Sequence, residues 1–185
     1  MTNAYDALTS MFDGEGGQEY LGERVSMAQH MLQTGRAARE AGAPTALVVA
    51  AVLHDVGHFS GAISGRDLMS GNDNHHDYVA AAWLSTWFDA DVTEPVRLHV
   101  AAKRYLCATD PTYYDKLSDA SKFTMSVQGG SMSDEEIAAF AAEPFAEAAC
   151  QLRKFDDIGK DPDAPVVTLA DFRADIDALD RTLSA

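Results

Sequence analysis

The stretch of sequence that decides the fold reads Ala50-Ala51-Val52-Leu53-His54-Asp55-Val56-Gly57-His58. An apolar helical run that changes abruptly to His-Asp places polar side chains inside the protein. A single histidine on an apolar helix is usually an ordinary core residue, but an adjacent His-Asp pair with a further histidine fits that interpretation less well. A carboxylate can bridge two cations, and a neighbouring imidazole can bind one of them. The stretch therefore indicates a buried metal site.

The other histidines also lie on or beside predicted helices. The chain has six histidines, and His30 and His99 fall in the middle of helical segments, where histidine is less favourable than alanine or leucine. The adjacent pair His75-His76 opens another helix, and Asp156-Asp157 closes a late one. The residues alone leave open which member of each pair joins the site.

The rest of the chain predicts an all-α fold. Helical periodicity rich in alanine runs throughout, alternating β-branched runs are nearly absent, and proline and glycine fall between periodic segments. The predicted helices span residues 3–12, 24–41, 44–56, 75–88, 93–107, 112–118, 119–128, 133–157 and 168–181, with a polar loop over 59–74. We expect Thr93 to be an N-cap, Ser133 and Glu136 to form a capping box, and Pro144 to kink or restart its helix.

Length and composition predict one globular domain. The chain has 185 residues, of which 46% are hydrophobic and 23% charged, which suits one sizeable core. We expect a single domain over 1–185. Within it, 1–23 would form an N-terminal helix and lid loop, 24–160 the metal-binding core, and 161–185 a C-terminal loop and helix.

The net charge of the chain limits the kinds of binding partner that we expect. The net charge is −15, from 29 acidic and 14 basic residues, so we expect no nucleic-acid partner and no polybasic membrane contact. A small anionic substrate is still compatible, because a site can carry its own local cations. Cys107 and Cys150 lack zinc or redox spacing, and neither a signal peptide nor a membrane span is visible. We therefore expect free thiols and a cytoplasmic protein.

The run from His54 to His58 resembles the core motif of the HD superfamily, and other pieces resemble one branch of it. These pieces are Tyr20-Leu21-Gly22-Glu23, Lys103-Arg104-Tyr105-Leu106-Cys107 and the run from Ser121 to Gln128-Gly129-Gly130. The branch is that of the mixed-valent diiron oxygenases that cleave organophosphonates, the PhnZ-like and TmpB-like enzymes; myo-inositol oxygenase is more distantly similar. The resemblance covers residues 20–175 and implies a single HD-domain helical bundle around a dinuclear metal site.

The resemblance implies six metal ligands, which are His30, His54, Asp55, His76, His99 and Asp156. Asp55 would be shared by two irons in a mixed-valent Fe(II)/Fe(III) pair, with dioxygen as co-substrate. His30, His54 and Asp156 would complete one iron, and His76 and His99 the other. The family pattern selects His76, which precedes an acidic residue, and Asp156, which follows a phenylalanine. The donor set by itself also suits manganese, zinc or cobalt.

The resemblance also implies residues that act on the substrate. The predicted catalytic residues are His58, Lys103 and Tyr20, and the predicted substrate-binding residues are Glu23, His58, Lys103, Ser121, Thr124, Gln128 and Arg153. In the family, the tyrosine sits on the open iron until substrate displaces it, and the glutamate recognises the substrate amine.

Helical spacing supports several of these assignments. Lys103 lies four residues after His99, so it would face the pocket and could neutralise a phosphonate. His58 lies four residues after His54 and would reach a substrate oxygen if that helix continues. The polar residues of 121–128 recur at intervals of three and four and would present donors from one stripe. Arg153 lies three residues before Asp156 and could pair with a phosphonate or a carboxylate.

The implied reaction is oxidative cleavage of the C–P bond of a 1-hydroxy-2-aminoethylphosphonate. A primary amine would give glycine and phosphate, and the N-trimethyl analogue would give glycine betaine; the intact motif from Tyr20 to Glu23 favours the primary amine. One alternative is an HD-family metal-dependent phosphohydrolase acting on a small phosphoester or nucleotide. Another is a non-catalytic helical module, against which the presence of all six ligands argues.

Overall fold

The computed structural model describes residues 2–59, 68–71 and 75–183, and these residues form helices and turns without a β-strand. The prediction of an all-helical fold is therefore confirmed. In chain order the helices are α1 (Ala4–Phe12), α2 (Met27–Glu40), α3 (Thr45–Leu53), α4 (His76–Leu84), α5 (Ala90–Thr109), α6 (Tyr113–Lys116), α7 (Asp119–Val127), α8 (Asp134–Ala141), α9 (Ala146–Ile158) and α10 (Arg173–Leu179). Short 3-10 turns cover Gly16–Gln18, Val56–Phe59 and Leu169–Phe172. Most of the predicted polar loop 59–74 lies outside the described residues.

Reciprocal capping boxes set the starts of two α-helices. Ser26 and Gln29 form a reciprocal capping box, which begins α2 at Met27 rather than at residue 24. The predicted capping box of Ser133 and Glu136 is confirmed and begins α8. Each box satisfies backbone N–H groups that have no partner within the helix.

The two predictions that involve a proline have different outcomes. The prediction of Thr93 as an N-cap is wrong, because α5 begins at Ala90 and carries Pro95 inside it. A proline near a helix start removes only one backbone hydrogen bond, so the preceding turn can still form. The predicted kink or restart at Pro144 is confirmed as a restart, with α8 ending at Ala141 and α9 beginning at Ala146.

The centre of the molecule is α3. Every residue from Leu47 to Leu53 is buried, and α2, α5, α9 and α10 all pack against this helix. A helix that is apolar all round can be stable only inside such a shell. The His-Asp pair follows directly after Leu53, so the end of the most buried helix delivers it to the interior. None of the described helices combines the length and apolar character needed to cross a membrane.

Candidate metal centre and its pocket

The structure brings all six predicted ligand residues together at the end of α3. His54 and Asp55 follow α3, His30 comes from α2, and His99 from α5. His76 is the first residue of α4, and Asp156 lies in the last turns of α9. These residues lie in five separate segments of the chain, which the packing around α3 gathers into one cluster.

The cluster divides into two triads that share Asp55. The candidate ligand atoms of His30, His54 and Asp55 all lie within 4.8 Å of one another, and so do those of Asp55, His76 and His99. Asp55 Oδ2 is 3.7 Å from His30 Nε2 and 3.4 Å from His54 Nε2. Asp55 Oδ1 is 3.3 Å from His76 Nε2 and 3.4 Å from His99 Nε2. The two oxygens of one carboxylate thus face two separate groups of donors, as a bridging ligand requires.

The fold separates the two members of each ambiguous pair, Asp156-Asp157 and His75-His76. Asp156 Oδ1 lies 3.2 Å from His30 Nε2, beside the triad of His30, His54 and Asp55. Asp157 instead accepts hydrogen bonds from Arg153 and from the Tyr113 hydroxyl. His75 is exposed and precedes α4 with a positive φ of 46°, whereas His76 is buried in the cluster.

Three imidazole rings are oriented by backbone carbonyls. The bonds run from His30 Nδ1 to Gly159 O (2.8 Å), from His54 Nδ1 to Ala51 O (2.9 Å) and from His99 Nδ1 to Val96 O (2.7 Å). A carbonyl oxygen only accepts, so each Nδ1 carries a proton, and each Nε2 is the atom that faces the cluster and would bind a metal through its lone pair once deprotonated. Histidines that bind metals are commonly held in this way.

The donor set fits a pair of transition-metal ions. His54 Nε2 is buried and has no hydrogen-bond partner among the residues that the structure describes. Leaving such an atom unsatisfied costs about 1–3 kcal/mol, and a bound cation would supply the missing partner. His76 Nε2 and His99 Nε2 approach to 3.2 Å, which places two imidazole nitrogens beside one position. Imidazole and carboxylate donors together suit iron, manganese, cobalt and zinc.

The carboxylates of the cluster are held in their ionised form. Burial by itself would raise the pKa of Asp55, but the facing rings of His54, His76 and His99 hold that pKa well below its ordinary value. Burial would likewise raise the pKa of Asp156, and the Arg153 guanidinium holds it well below the usual range. Ionised carboxylates are the form that binds a metal.

Two glycines allow the close packing of the cluster. A Cβ at Gly57 would lie 2.1 Å from the carbonyl oxygen of His76, so only glycine lets the turn after Asp55 lie against the start of α4. A Cβ at Gly159 would lie 2.3 Å from Thr34 Oγ1 and 2.9 Å from the His30 carbonyl oxygen. These contacts join α3 to α4 and α9 to α2 at the level of the cluster.

A cavity of about 650 Å³, counting the space at its mouth, opens beside the cluster. Five of the predicted metal ligands line it; fully buried His54 lies behind its wall. The predicted substrate-binding residues line it too, namely Glu23, His58, Lys103, Ser121, Thr124, Gln128 and Arg153. Its apolar lining consists of Leu21, Val25, Met27, Leu68, Met69, Val100 and Ala120. Tyr20 is 64% exposed and lines a neighbouring surface groove instead, so its role at the metal stays a prediction.

Lys103 is a buried cation with neutral partners. Its Nζ donates to Thr124 Oγ1 at 2.9 Å and to Gln128 Oε1 at 2.6 Å. Burial and the nearby Arg153 guanidinium lower the pKa of Lys103 to about 7. An amine that is costly to keep charged gains stability when an anion binds beside it.

Arg153 links the cavity to the metal cluster. Its guanidinium donates to both Asp156 and Asp157, and to Ser121 Oγ at 3.4 Å. Burial would lower the pKa of Arg153, but the two carboxylates hold it well above its ordinary value. The arginine is therefore permanently charged, fixes Asp156, and lines the cavity.

His58 lies beside the second triad. The predicted continuation of α3 does not occur, and His58 instead lies in the 3-10 turn Val56–Phe59. Its ring stacks on that of His76 with centroids 4.0 Å apart and planes 20° apart. Burial lowers the pKa of His58 well below its ordinary value, so the ring is neutral at neutral pH.

Lys160 lines the same cavity and was not predicted from the sequence. Its Nζ lies 3.0 Å from Glu23 Oε1 and donates to Ser121 Oγ at 2.9 Å. It follows Asp156 by four residues, the spacing that relates Lys103 to His99. That spacing could have found it, but Gly159 ends the helix one residue earlier and made Lys160 look like part of a loop.

Comparison with known proteins identifies the family, although no protein-family model matches the chain. The chain is 41% identical over 161 residues to the [1-hydroxy-2-(trimethylamino)ethyl]phosphonate dioxygenase (glycine-betaine-forming) of Leisingera caerulea, over 87% of this chain and 82% of that protein. It is 36% identical over 184 residues to the hydroxymethylphosphonate dioxygenase of Gimesia maris, over 94% of this chain and 88% of that protein. The family predicted from the motifs is confirmed: the chain belongs to the phosphonate dioxygenases.

Proposed function

We propose that this protein uses dioxygen to cleave the C–P bond of a small 1-hydroxyphosphonate. The hydroxyl-bearing carbon is oxidised to a carboxylate while dioxygen is reduced. The two oxygen atoms gained are shared between the carboxylate and the released phosphate, and one proton is set free. The observation that carries the proposal is the pair of triads sharing Asp55 at the wall of a cation-lined cavity.

The proposed metal pair is iron in the mixed-valent Fe(II)/Fe(III) state. His30, His54 and Asp156 would hold one ion, His76 and His99 the other, and Asp55 both. Bound iron would supply the activation of dioxygen and the one-electron oxidation that amino-acid side chains lack. The ionised carboxylates and the lone pairs of oriented imidazoles support this assignment.

The phosphonate would bind between Lys103 and Arg153. Both cations line the cavity, and Ser121, Thr124 and Gln128 add hydroxyl and amide groups on the same wall. Binding would exchange the contacts of Lys103 with Thr124 and Gln128 for stronger charge-assisted ones. Held in this way, the hydroxyl-bearing carbon would be oriented toward the ligand cluster, and orientation is a large part of catalysis.

The substrate hydroxyl would lie close to His58. A neutral imidazole stacked on His76 can donate to or accept from an oxygen beside the second triad. Tyr20 would act from the groove next to the cavity. It would exchange with the substrate at the metal when the chain segment before Tyr20 moves. Both roles are proposed on the family resemblance together with these positions.

The test is phosphate release from iron-loaded protein with and without dioxygen. The substrates are hydroxymethylphosphonate, 2-amino-1-hydroxyethylphosphonate and its N-trimethyl analogue, and the Asp55→Ala variant is the inactive control. We expect phosphate only when dioxygen is present. Equal release without dioxygen would contradict the proposal and favour the phosphohydrolase alternative, which a set of phosphoesters would then examine.

A further inference from the structure

A salt bridge on the cavity wall joins Glu23 to Lys160. Lys160 Nζ lies 3.0 Å from Glu23 Oε1, and the side chains are only 14% and 21% exposed. Both residues line the cavity beside the metal cluster. Partial removal from water strengthens such a pair relative to one on the open surface.

Neighbouring groups hold this pair in place before any ligand arrives. Ser118 Oγ donates to the same Glu23 oxygen at 2.6 Å, which fixes the carboxylate. Lys160 donates to Ser121 Oγ at 2.9 Å and lies 3.9 Å from Asp156 Oδ1. Glu23 is therefore oriented and neutralised by the protein itself.

A substrate ammonium would have to compete with Lys160 for the Glu23 carboxylate. The lysine is tethered beside the carboxylate, whereas the substrate arrives from dilute solution. Displacing Lys160 would also leave a partly buried cation without its main counter-charge, which is costly. The pair thus weakens the attraction that an unpaired glutamate would exert on an amine.

A quaternary ammonium would also lack an aromatic surface here. Such groups bind best against the faces of tryptophan, tyrosine or phenylalanine. Among the described residues, the side chains lining the cavity include no tryptophan, tyrosine or phenylalanine. The remaining residues, 1, 60–67, 72–74, 184 and 185, contain no Phe, Tyr or Trp in the sequence.

We propose that Lys160 is a specificity-determining residue which, by occupying Glu23, directs the enzyme toward 1-hydroxyphosphonates that carry no cationic group. This inference rests on the proposed function and narrows its substrate class. Hydroxymethylphosphonate is the simplest such substrate, and its carboxylate product is formate. The Glu23–Lys160 pair then serves as a neutral wall rather than as an amine receptor.

The test compares substrate preference between the wild type and variants of the pair. kcat and KM are measured for hydroxymethylphosphonate, 2-amino-1-hydroxyethylphosphonate and the N-trimethyl analogue. The variants are Lys160→Met, Lys160→Arg and the double variant Lys160→Met/Glu23→Gln. The matched control is Lys154→Met, which removes the same charge from an exposed position on α9, the helix that ends just before Lys160.

The wild type should prefer hydroxymethylphosphonate. Lys160→Met should raise the relative kcat/KM of the ammonium substrates by about tenfold, the effect of about 1.4 kcal/mol, and mostly through KM. The double variant should lose this gain because it lacks the Glu23 carboxylate that Lys160→Met alone leaves available to the ammonium group. Lys160→Arg and Lys154→Met should keep the wild-type preference.

Three outcomes would overturn the proposal. These are a wild type that prefers an ammonium substrate, a Lys160→Met variant that weakens all three substrates equally, or a gain that survives in the double variant. Absence of phosphate from every substrate would instead contradict the proposed function. Calorimetric binding of the same three phosphonates to the iron-loaded variants without dioxygen would then still measure the preference, and thermal unfolding confirms that each variant is folded.

Discussion

At the scale of the residue, Asp55 decides whether the cluster is one site or two. Its two oxygens face separate imidazole pairs at 3.3 to 3.7 Å, so both halves depend on a single carboxylate. We expect Asp55→Ala to lose both metal ions, whereas His99→Ala should chiefly weaken one. Metal content by mass spectrometry after iron loading checks this, with circular dichroism to confirm folding. Retention of two irons by Asp55→Ala would contradict a bridging role.

Lys103 should make phosphonate binding in the pocket depend on pH. Its pKa is lowered to about 7, so the amine is charged below that pH and neutral above it. Phosphonate affinity in the free enzyme should therefore fall as pH rises through about 7. An arginine keeps its charge throughout this range, so Lys103→Arg should remove that fall. The pH profile of kcat/KM for both enzymes is the measurement, and parallel profiles would place the titration elsewhere.

At the residue scale, the sequence could place a side chain at the cavity where chemistry and helical spacing coincide. Lys103 was found because it repeats one helical turn after His99 on a continuous helix. Lys160 has the same relation to Asp156, but the helix ends at Ile158. Its pairing with Glu23, 137 positions away along the chain, is a tertiary contact that no local pattern encodes.

At the scale of the element, the junction of α9 with α2 depends on a missing side chain. A Cβ at Gly159 would meet Thr34 Oγ1 at 2.3 Å, and the Gly159 carbonyl orients His30. We expect Gly159→Ala to lower the free energy of unfolding by about 1–3 kcal/mol, the usual cost of overpacking. Metal affinity should fall about 10–100-fold because the His30 ring loses its support.

Denaturant unfolding and a metal titration measure these two effects. The double variant Gly159→Ala/Thr34→Ala is the control, because it removes the atom nearest the added methyl group. It should recover part of the lost stability. A Gly159→Ala variant with wild-type stability and metal affinity would show that the two helices can separate without disturbing the site.

Helix order was predictable from the sequence, but helix ends were predictable only in part. The Ser133 and Glu136 box was correct because its two hydrogen bonds are local. The start of α5 was wrong because Thr93 looked like a cap while Asp89 actually precedes the helix. A proline near a helix start is compatible with either of these starts. Where α5 begins therefore depends on packing rather than on local preference.

At the scale of the whole molecule, metal binding and folding should be coupled. The triads are assembled from α2, α4, α5 and the end of α3, so the unfolded chain has no equivalent site. A ligand at 100 times its Kd stabilises the folded state by about 2.7 kcal/mol. For a chain of this size we expect iron to raise Tm by about 5–10 °C. Scanning calorimetry with and without a chelator measures the shift, and a similar shift in Asp55→Ala would assign it to another site.

Charge is distributed so that an acidic protein can receive an anion. The net charge is −15, yet Lys103, Arg153 and Lys160 all line one cavity. Local cations of this kind outweigh the distant surface charge because the field of exposed groups is screened by salt. The sequence predicted this compatibility in general terms. It could not locate the cavity, because the wall is assembled from α2, α4, α5, α7, α9 and several connecting segments that meet only in the folded chain.

The most direct measurement follows the oxygen atoms. Iron-loaded protein is supplied with heavy-isotope dioxygen and a 1-hydroxyphosphonate, and the carboxylate product is analysed by mass spectrometry. The account predicts a labelled oxygen atom in that carboxylate, because its second oxygen comes from dioxygen. A carboxylate without label, or phosphate formed while no dioxygen is consumed, would contradict the assignment of this protein as an oxygenase that cleaves the C–P bond.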